Sequence, residues 1–483
     1  MTNAYLISFY SRLEDYPTKY SLSSMRLAAY VAGQSDLSDL ELKILPMKLD
    51  ASTKKLAQEL IDRKADVIGL PTYMWTSLKS REIAQSLAEK SPNTLVVVGG
   101  PETSTFDYTT WPDNTLFVLG EGEKSLHWIL RKRIENPDFM GEDPDQMYQS
   151  VYSQVRKRSQ AVIQIEKDLA VGIPIYSEEF LRLLEHPEQL DTTFTWHDTA
   201  VSCPYNCGYC GHKTRPNVVF RPDDVIEQEI RNIGKLRFEN VFVIDPILGG
   251  IPGRDNKILQ WYQQYAPDTA ISAYYRPEYF NDETITLLAS SNIKEILIGL
   301  QSTNPDVPKW LRSNNLAKVK KYLPQLSQKG IPNRIELITG MPGDSPNGQR
   351  ESLRFVIEEI QPMSIWSYHL TVIPETKLYN ILDADQRGQD IWIHADLAKS
   401  RATDASSYTS QEMNQMLVYA GAVTSLYNTL RKRGDQTING HPITLKQIEQ
   451  IIKPVIDLEN EEIIQYFKSS NMKRAMQYWD EKI

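Results

Sequence analysis

The three cysteines of this 483-residue chain fall in one short stretch, Cys203-Pro-Tyr-Asn-Cys207-Gly-Tyr-Cys210. An odd number of thiols cannot all pair as disulfides, and three thiolates in one small volume are metal ligands. Structural zinc takes four ligands. The chain has no fourth cysteine, although His197 or His212 could complete such a site. A four-iron cluster on three cysteines instead leaves one iron open to a substrate or cofactor. Three unconnected buried thiols are the remaining reading.

A loop needs elements to hold it. A chain of this length forms two or three domains, because single cores stop growing near roughly 250–300 residues. The hydrophobic share of 41% and charged share of 24% are those of globular protein, so sizeable cores can form. Apolar runs such as Leu95–Val98 and Val241–Ile244 suit buried strands and are far too short to cross a membrane. The opening residues read as a first strand, not a targeting segment. A cytoplasmic location, where thiols stay reduced, is expected. Net charge is −9, and short basic runs such as Arg131–Arg133 and Arg156–Arg158 read as solvated helix faces, so neither nucleic acid nor membrane is an expected partner.

Residues 1–125 alternate strands with helices. The strands are expected at Tyr5–Phe9, Leu40–Leu45, Asp66–Leu70, Leu95–Gly99 and Thr115–Leu119. Helical faces carry Met25, Ala28, Ala29 and Ala32, then Leu56, Leu60 and Ile61, then Leu78, Ile83 and Leu87. This pattern predicts a doubly wound parallel sheet, which binds ligands beyond the carboxyl ends of its strands. Residues 126–190 read as a helical connector. A second strand–helix series over 191–375 has candidate strands at 193–200, 240–244, 269–273, 295–299, 334–339 and 364–372. Six such units predict a partial (βα)6 barrel, and 376–483 read as a helical C-terminal region. The fold class is α/β. In the tail, Tyr408, Met413, Met416 and Tyr419 could close over a ligand, though such a stripe is also ordinary core.

The cysteine stretch, with Tyr209 directly before its last cysteine, resembles the signature of radical S-adenosylmethionine (SAM) enzymes. Phe220–Ile230, Val241–Asp245, Ala273–Arg276, Ile298–Ser302, Leu337–Asp344 and Val372–Leu378 resemble that family's later barrel elements. Glu375 stands where the family's closing turn has glycine. The resemblance implies that Cys203, Cys207 and Cys210 hold a 4Fe-4S cluster whose open iron chelates SAM. It further implies that an external one-electron reductant drives cleavage to a 5′-deoxyadenosyl radical. By position, Tyr209 would lie against adenine through its backbone, Asp245, Arg276, Gln301 and Ser302 would line the SAM pocket, and Gly340 and Pro342 would shape the adenine wall.

The first domain also resembles the cobalamin-binding domain fused to one large branch of these enzymes. The residues that carry this are Pro71, Thr72 and Tyr73, then Gly99, Gly100, Pro101 and Glu102, then Gly120, Glu121 and Gly122. A flat macrocycle approaches backbone only where side chains are absent, which suits these glycines. No histidine stands in an Asp-x-His-x-x-Gly sequence, so none from that motif would replace cobalamin's own base. Tyr73 and Trp75 either approach the lower face or pack between domains. The resemblance implies a cobalamin-dependent methyltransferase acting on an unactivated carbon of a peptide or small molecule. The alternative is radical rearrangement, cyclisation or cleavage without methyl transfer, with the first domain a relic or partner platform.

Overall fold

The computed structural model describes residues 1–10, 18–73, 75–105, 107–141, 162–163, 172–212, 217–312, 314–374, 376–396, 401–457, 465, 467 and 472–482. By compactness the chain divides into Met1–His197 with Phe220–Val241, and Asp198–Val219 with Phe242–Ile483.

The first unit opens with β1 (Thr2–Tyr10), α1 (Leu22–Ala32), β2 (Leu40–Lys48), α2 (Thr53–Asp62), β3 (Val67–Pro71), α3 (Ser77–Lys90), β4 (Leu95–Gly99), β5 (Thr115–Val118) and α4 (Glu123–Glu135). With the short β6 (Val162–Ile163) these strands form one parallel sheet in the order β2-β1-β3-β4-β5-β6. The order reverses between β1 and β3, and a doubly wound sheet offers its ligand crevice at such a reversal. α1 packs with α4, and α2 with α3. The α2–α3 side buries Leu56, Leu60, Ile83 and Leu87 against Ile7, Ile68, Val96, Val98 and Phe117. Ser21 caps α1 by accepting a hydrogen bond from the Ser24 backbone.

Leu78 departs from expectation. It is 61% exposed, while Ser80, Ile83, Ala84 and Leu87 form the buried stripe of α3. Five residues before Ile83, it lies well round the helix from that stripe. Of the expected helical connector over 126–190, residues 142–161 and 164–171 lie outside the described residues. Its described parts include β6 and the short α5 (Glu178–Leu181), besides most of α4.

The unit also holds β7 (Thr195–His197) and α6 (Asp223–Lys235). Here Glu229 of α6 is fully buried and accepts hydrogen bonds from both Arg26 guanidinium nitrogens, the Ile175 backbone (3.1 Å) and His197 Nε2 (3.1 Å). Despite burial, these partners, Arg26 foremost, pull its carboxyl down to about 2.

The second unit contains the short strands β8 (Ala200–Val201) and, across the division, β9 (Val219–Phe220), β10 (Asn240–Val243) being likewise shared. There follow α7 (Arg254–Tyr265), β11 (Ala270–Tyr275), α8 (Asp282–Ser290), β12 (Ile293–Gln301), α9 (Leu316–Gln328), β13 (Asn333–Thr339), α10 (Pro346–Phe355) and β14 (Ser364–His369). The second sheet runs β14-β13-β12-β11-β10-β7, six strands in sequence order, as a six-unit partial barrel requires. Alternation divides its faces. Ile296, Ile298, Ile335, Leu337 and Ile365 are buried on one, while Glu295, Arg334, Glu336, Trp366 and Tyr368 share the other.

The tail is mostly helical as expected, with α11 (Ser410–Lys432), α12 (Leu445–Ile456) and α13 (Met472–Lys482). It also has two hairpins, β15 (Ile393–Asp396) with β16 (Arg401–Ala405) and β17 (Thr437–Ile438) with β18 (His441–Pro442). These strands are too short and too polar to show alternation in the sequence. Thr409 and Glu412 form a capping box that starts α11.

Candidate cluster and cofactor site

The cysteine loop begins at Thr199, where Asp245 holds it. The Asp245 carboxylate is fully buried and accepts from the Thr199 backbone (2.6 Å) and hydroxyl, the Ala200 backbone (3.1 Å) and the Gly249 backbone (3.1 Å). Both oxygens are therefore engaged by the loop roots. Asp245 was expected to line the SAM pocket; its geometry makes it a positioning residue instead. Burial pushes its carboxyl above the ordinary carboxylate value, against the pull of these donors.

Beyond Ser202 the three cysteines are half-buried and not joined by disulfides. The Gly208 backbone anchors the loop on both sides, donating to the Trp310 carbonyl (3.0 Å) and accepting from the Leu378 backbone (2.7 Å). A Cβ at Gly208 would stand 2.4 Å from the Trp310 ring, so glycine is required for this close approach. The Tyr209 ring packs on a core of Val307, Leu311, Met341 and Leu378, which leaves its backbone toward the loop.

Two guanidiniums converge on one sulfur. Arg276 Nη1 and Arg312 Nη1 each lie 3.6 Å from Cys207 Sγ. Arg276 sits over the Tyr205 ring (3.7 Å to its centre) and pairs with Glu278 (3.0 Å), while Arg312 donates to the Gly299 carbonyl and to Asn314 (2.9 Å). Both are buried. Arg312, Glu278 and Asn314 went unnoticed in the sequence. Arg312 follows Gln301 in an irregular loop, and no periodicity points to it.

Gln301 ends β12 at a register shift with a left-handed φ of 69°, and Ser202 has φ 71°. Non-glycine residues held this way cost about 1 kcal/mol or more and concentrate at functional sites. Among the described residues the buried Gln301 Oε1 atom has no hydrogen-bond partner, whereas Ser302 contacts Asp344 (3.4 Å) and accepts from the Asn304 backbone (3.1 Å). Gly340, expected to shape the adenine wall, has φ +92°, and a Cβ there would stand within 3 Å of Met413. The Gly340 carbonyl accepts from Tyr408, and Pro342 is buried two residues on. Tyr408, Met413 and Met416 are thus core. Tyr419 bonds Glu449 (2.7 Å). Glu375 lies outside the described residues.

In the first unit, Thr72 ties the β3 and β4 ends together. Its backbone (2.8 Å) and hydroxyl (3.0 Å) donate to the Gly99 carbonyl, and its carbonyl accepts from Glu102 (3.2 Å). Thr72 is fully buried, so it braces the edge from within. A Cβ at Gly100, where φ is +135°, would meet the Thr72 carbonyl at 2.5 Å. Gly100, Pro101 and Gly120 are exposed along this edge, and Pro71, Gly99, Glu102, Glu121 and Gly122 are half-buried. Tyr73 stacks on Trp75 (5.1 Å between centres, 5° between planes), and Trp75 is 67% exposed.

The residues fit the groups that the resemblance implies. Three cysteines with two cations at one sulfur suit an anionic cluster. The orphaned Gln301 oxygen awaits a donor such as a ribose hydroxyl. The side-chain-poor edge at Gly99, Gly100 and Gly120 leaves backbone open to a macrocycle. Among the described residues, no three His, Cys, Asp or Glu side chains converge as ligands of a single ion, and His197 is bound to Glu229.

Residues 199–356 match the Radical SAM superfamily, and 23–129 match the B12 binding domain. The chain carries a radical SAM domain and a B12-binding domain. It is 23% identical over 363 residues to the cobalamin-dependent radical SAM methyltransferase TokK of Streptomyces tokunonensis, covering 71% of this chain and 52% of that one. It is 24% identical over 353 residues to the 2-(S-pantetheinyl)-carbapenam-3-carboxylate methyltransferase of Streptantibioticus cattleyicolor, covering 69% and 50%. The chain thus spans about half the length of these curated relatives. In fold it is similar to the cobalamin-dependent radical enzyme OxsB (TM-score 0.66, 14% identity, 99% of this chain and 75% of that one). It is also similar to the methyltransferase TsrM from Kitasatospora setae (TM-score 0.61, 14% identity, 95% and 100%). Among the described residues, no helix is long and apolar enough to cross a membrane.

Proposed function

We propose that this chain is a cobalamin-dependent radical SAM methyltransferase that acts on an unactivated carbon of a peptide or small natural-product substrate. The observation that carries the reading is the convergence of Arg276 and Arg312 on Cys207, within a three-cysteine loop, on a chain that also has the glycine-edged B12-type sheet. When bound, the cluster with SAM supplies a 5′-deoxyadenosyl radical and cobalamin carries the methyl group.

The protein's own part is to hold, orient and exclude water. Cys203, Cys207 and Cys210 would hold the cluster, and Arg276 and Arg312 would offset its negative charge. Asp245 fixes the root of the loop. Gln301 would accept from SAM, and Gly340 lets Met413 and Tyr408 close one wall of the site. Pro71, Tyr73, Gly99–Glu102 and Gly120–Gly122 would face cobalamin, with Thr72 behind them. In this reading residues 1–125 serve cobalamin, 191–375 serve the cluster and SAM, and 376–483 pack the barrel's open side. A reduced compartment, the cytoplasm, and an external one-electron reductant suit the three-thiol loop.

Turnover of methyl-labelled SAM with reductant, cobalamin and a cell extract tests the reading. Deoxyadenosine together with a labelled product supports it. Deoxyadenosine with no label in any product, once cobalamin is bound, refutes methyl transfer.

A further inference from the structure

The polar face of the second sheet contains a carboxylate that the cofactor site does not use. Glu336, midway along β13, pairs in register with Gly299 of β12 and Trp366 of β14. Its neighbours Ile335 and Leu337 point to the opposite, apolar face, so Glu336 faces inward with Tyr368, Trp366 and Arg334. Glu336 is only 9% exposed. Its compensation is thin. The Tyr368 hydroxyl donates to Oε1 at 3.3 Å, and Arg334 Nε approaches the same oxygen no closer than 3.8 Å. The Arg334 guanidinium is committed elsewhere, to Glu295 at 2.7 Å and over the Trp366 ring at 4.5 Å. Burial, with the charge of Glu295 nearby, pushes the Glu336 carboxyl above its ordinary value.

The position matters as much as the charge. Gly299 has no side chain of its own beside Glu336, the Gln301 amide lying over it 2.4 Å from where a Cβ would stand, and its carbonyl accepts from Arg312, which reaches Cys207. The acid therefore lies one strand pairing away from the residue that links to the cluster loop. A buried carboxylate is costly unless paired with a cation. Here Oε2 takes no hydrogen bond from the described protein.

We propose that Glu336 is the anchor for a cationic nitrogen of the substrate, an ammonium or guanidinium group held inside the barrel. This rests on the reading of the barrel as the radical SAM domain whose substrate lies on its inner face. Tyr368 steadies the acid, and the rings of Trp366 and Tyr368, 5.9 Å apart, flank it. Among the described residues, Arg334, Glu295 and Tyr274 are the other charged or titratable groups on the faces of β11–β14 that Glu336 shares.

Calorimetric titration of the cluster-loaded, SAM-bound chain with n-pentylammonium, pentanol and pentanoate tests this. The ammonium should bind about tenfold more tightly than the alcohol, the scale of a charge-assisted hydrogen bond, and pentanoate most weakly. Glu336→Gln should erase the preference while iron content and SAM binding hold, whereas Tyr368→Phe should keep it. In the wild-type chain the preference should also fade as pH is lowered, because protonation removes the carboxylate charge. Equal binding of the three probes, a pentanoate preference, or a cation preference that survives Glu336→Gln overturns the proposal. No turnover is read, so the outcome is independent of whether methyl transfer is the reaction.

Discussion

Asp245 distinguishes an anchor from a ligand contact. Its carboxylate takes four hydrogen bonds, from Thr199 (two), Ala200 and Gly249, all at buried positions. Asp245→Ala leaves three backbone N–H groups unpaired. At about 1–3 kcal/mol for each orphaned donor, less whatever water recovers, the loss is roughly 4 kcal/mol. For a unit of this size about 1 kcal/mol moves Tm by roughly 2–4 °C, so a fall on the order of 10 °C is expected. Asp245→Asn is milder. Its remaining oxygen can still accept from Thr199 and Ala200, but its amide faces the Gly249 N–H donor to donor, which costs about 1–3 kcal/mol. In both variants Cys203, Cys207 and Cys210 are intact, yet iron bound per chain should fall along with Tm because the loop root has moved. The assay is anaerobic reconstitution, iron and sulfide analysis, and thermal melting. Wild-type Tm and iron content in Asp245→Asn, with SAM binding alone weakened, would refute the anchoring argument and return Asp245 to the SAM pocket.

Two further expectations follow from packing and charge. Gly208→Ala drives a methyl into the Trp310 ring and should lower iron retention, while Gly208→Ala with Trp310→Ala should recover part of it; no recovery would place the fault elsewhere than this contact. Glu229 has a folded-state value near 2, below the ordinary 4.5. Its stabilisation is therefore complete above about pH 4.5 and lost as pH falls toward 2, a contribution of about 3 kcal/mol in all. Glu229→Gln should be less stable at neutral pH, with the gap closing in acid, as urea melts across pH would show; a gap independent of pH would contradict the buried pairing with Arg26.

Much of this was legible in the sequence because the elements obey period and composition. The runs at Leu95–Gly99 and Thr115–Val118 are strands because continuous β-branched and apolar residues suit a sheet covered on both faces. The spacing of the three cysteines pointed to a metal site, and the resemblance to radical SAM enzymes is what implied the cluster. The misses share a cause: they depend on which side chains meet across distant segments. Asp245 at a strand end looked like a ligand contact, and only the fold shows its oxygens filled by Thr199, Ala200 and Gly249. Arg312 lies in a loop without pattern. Glu336 read as one more polar residue in an alternating strand, and its meaning comes from Gly299 opposite. The β15–β16 hairpin, with the sequence Arg-Ala-Thr-Asp-Ala in its second strand, has too little alternation to declare itself.

The central claim is that Cys203, Cys207 and Cys210 hold an iron–sulfur cube with one iron free for SAM. Electron paramagnetic and double resonance on the reduced, reconstituted chain with SAM isotopically labelled at its carboxylate tests it most directly. Hyperfine coupling between the label and the cluster, absent in the triple cysteine-to-alanine variant, is the predicted result. Iron bound without any coupling to SAM, or an unchanged signal in the variant, would contradict the account.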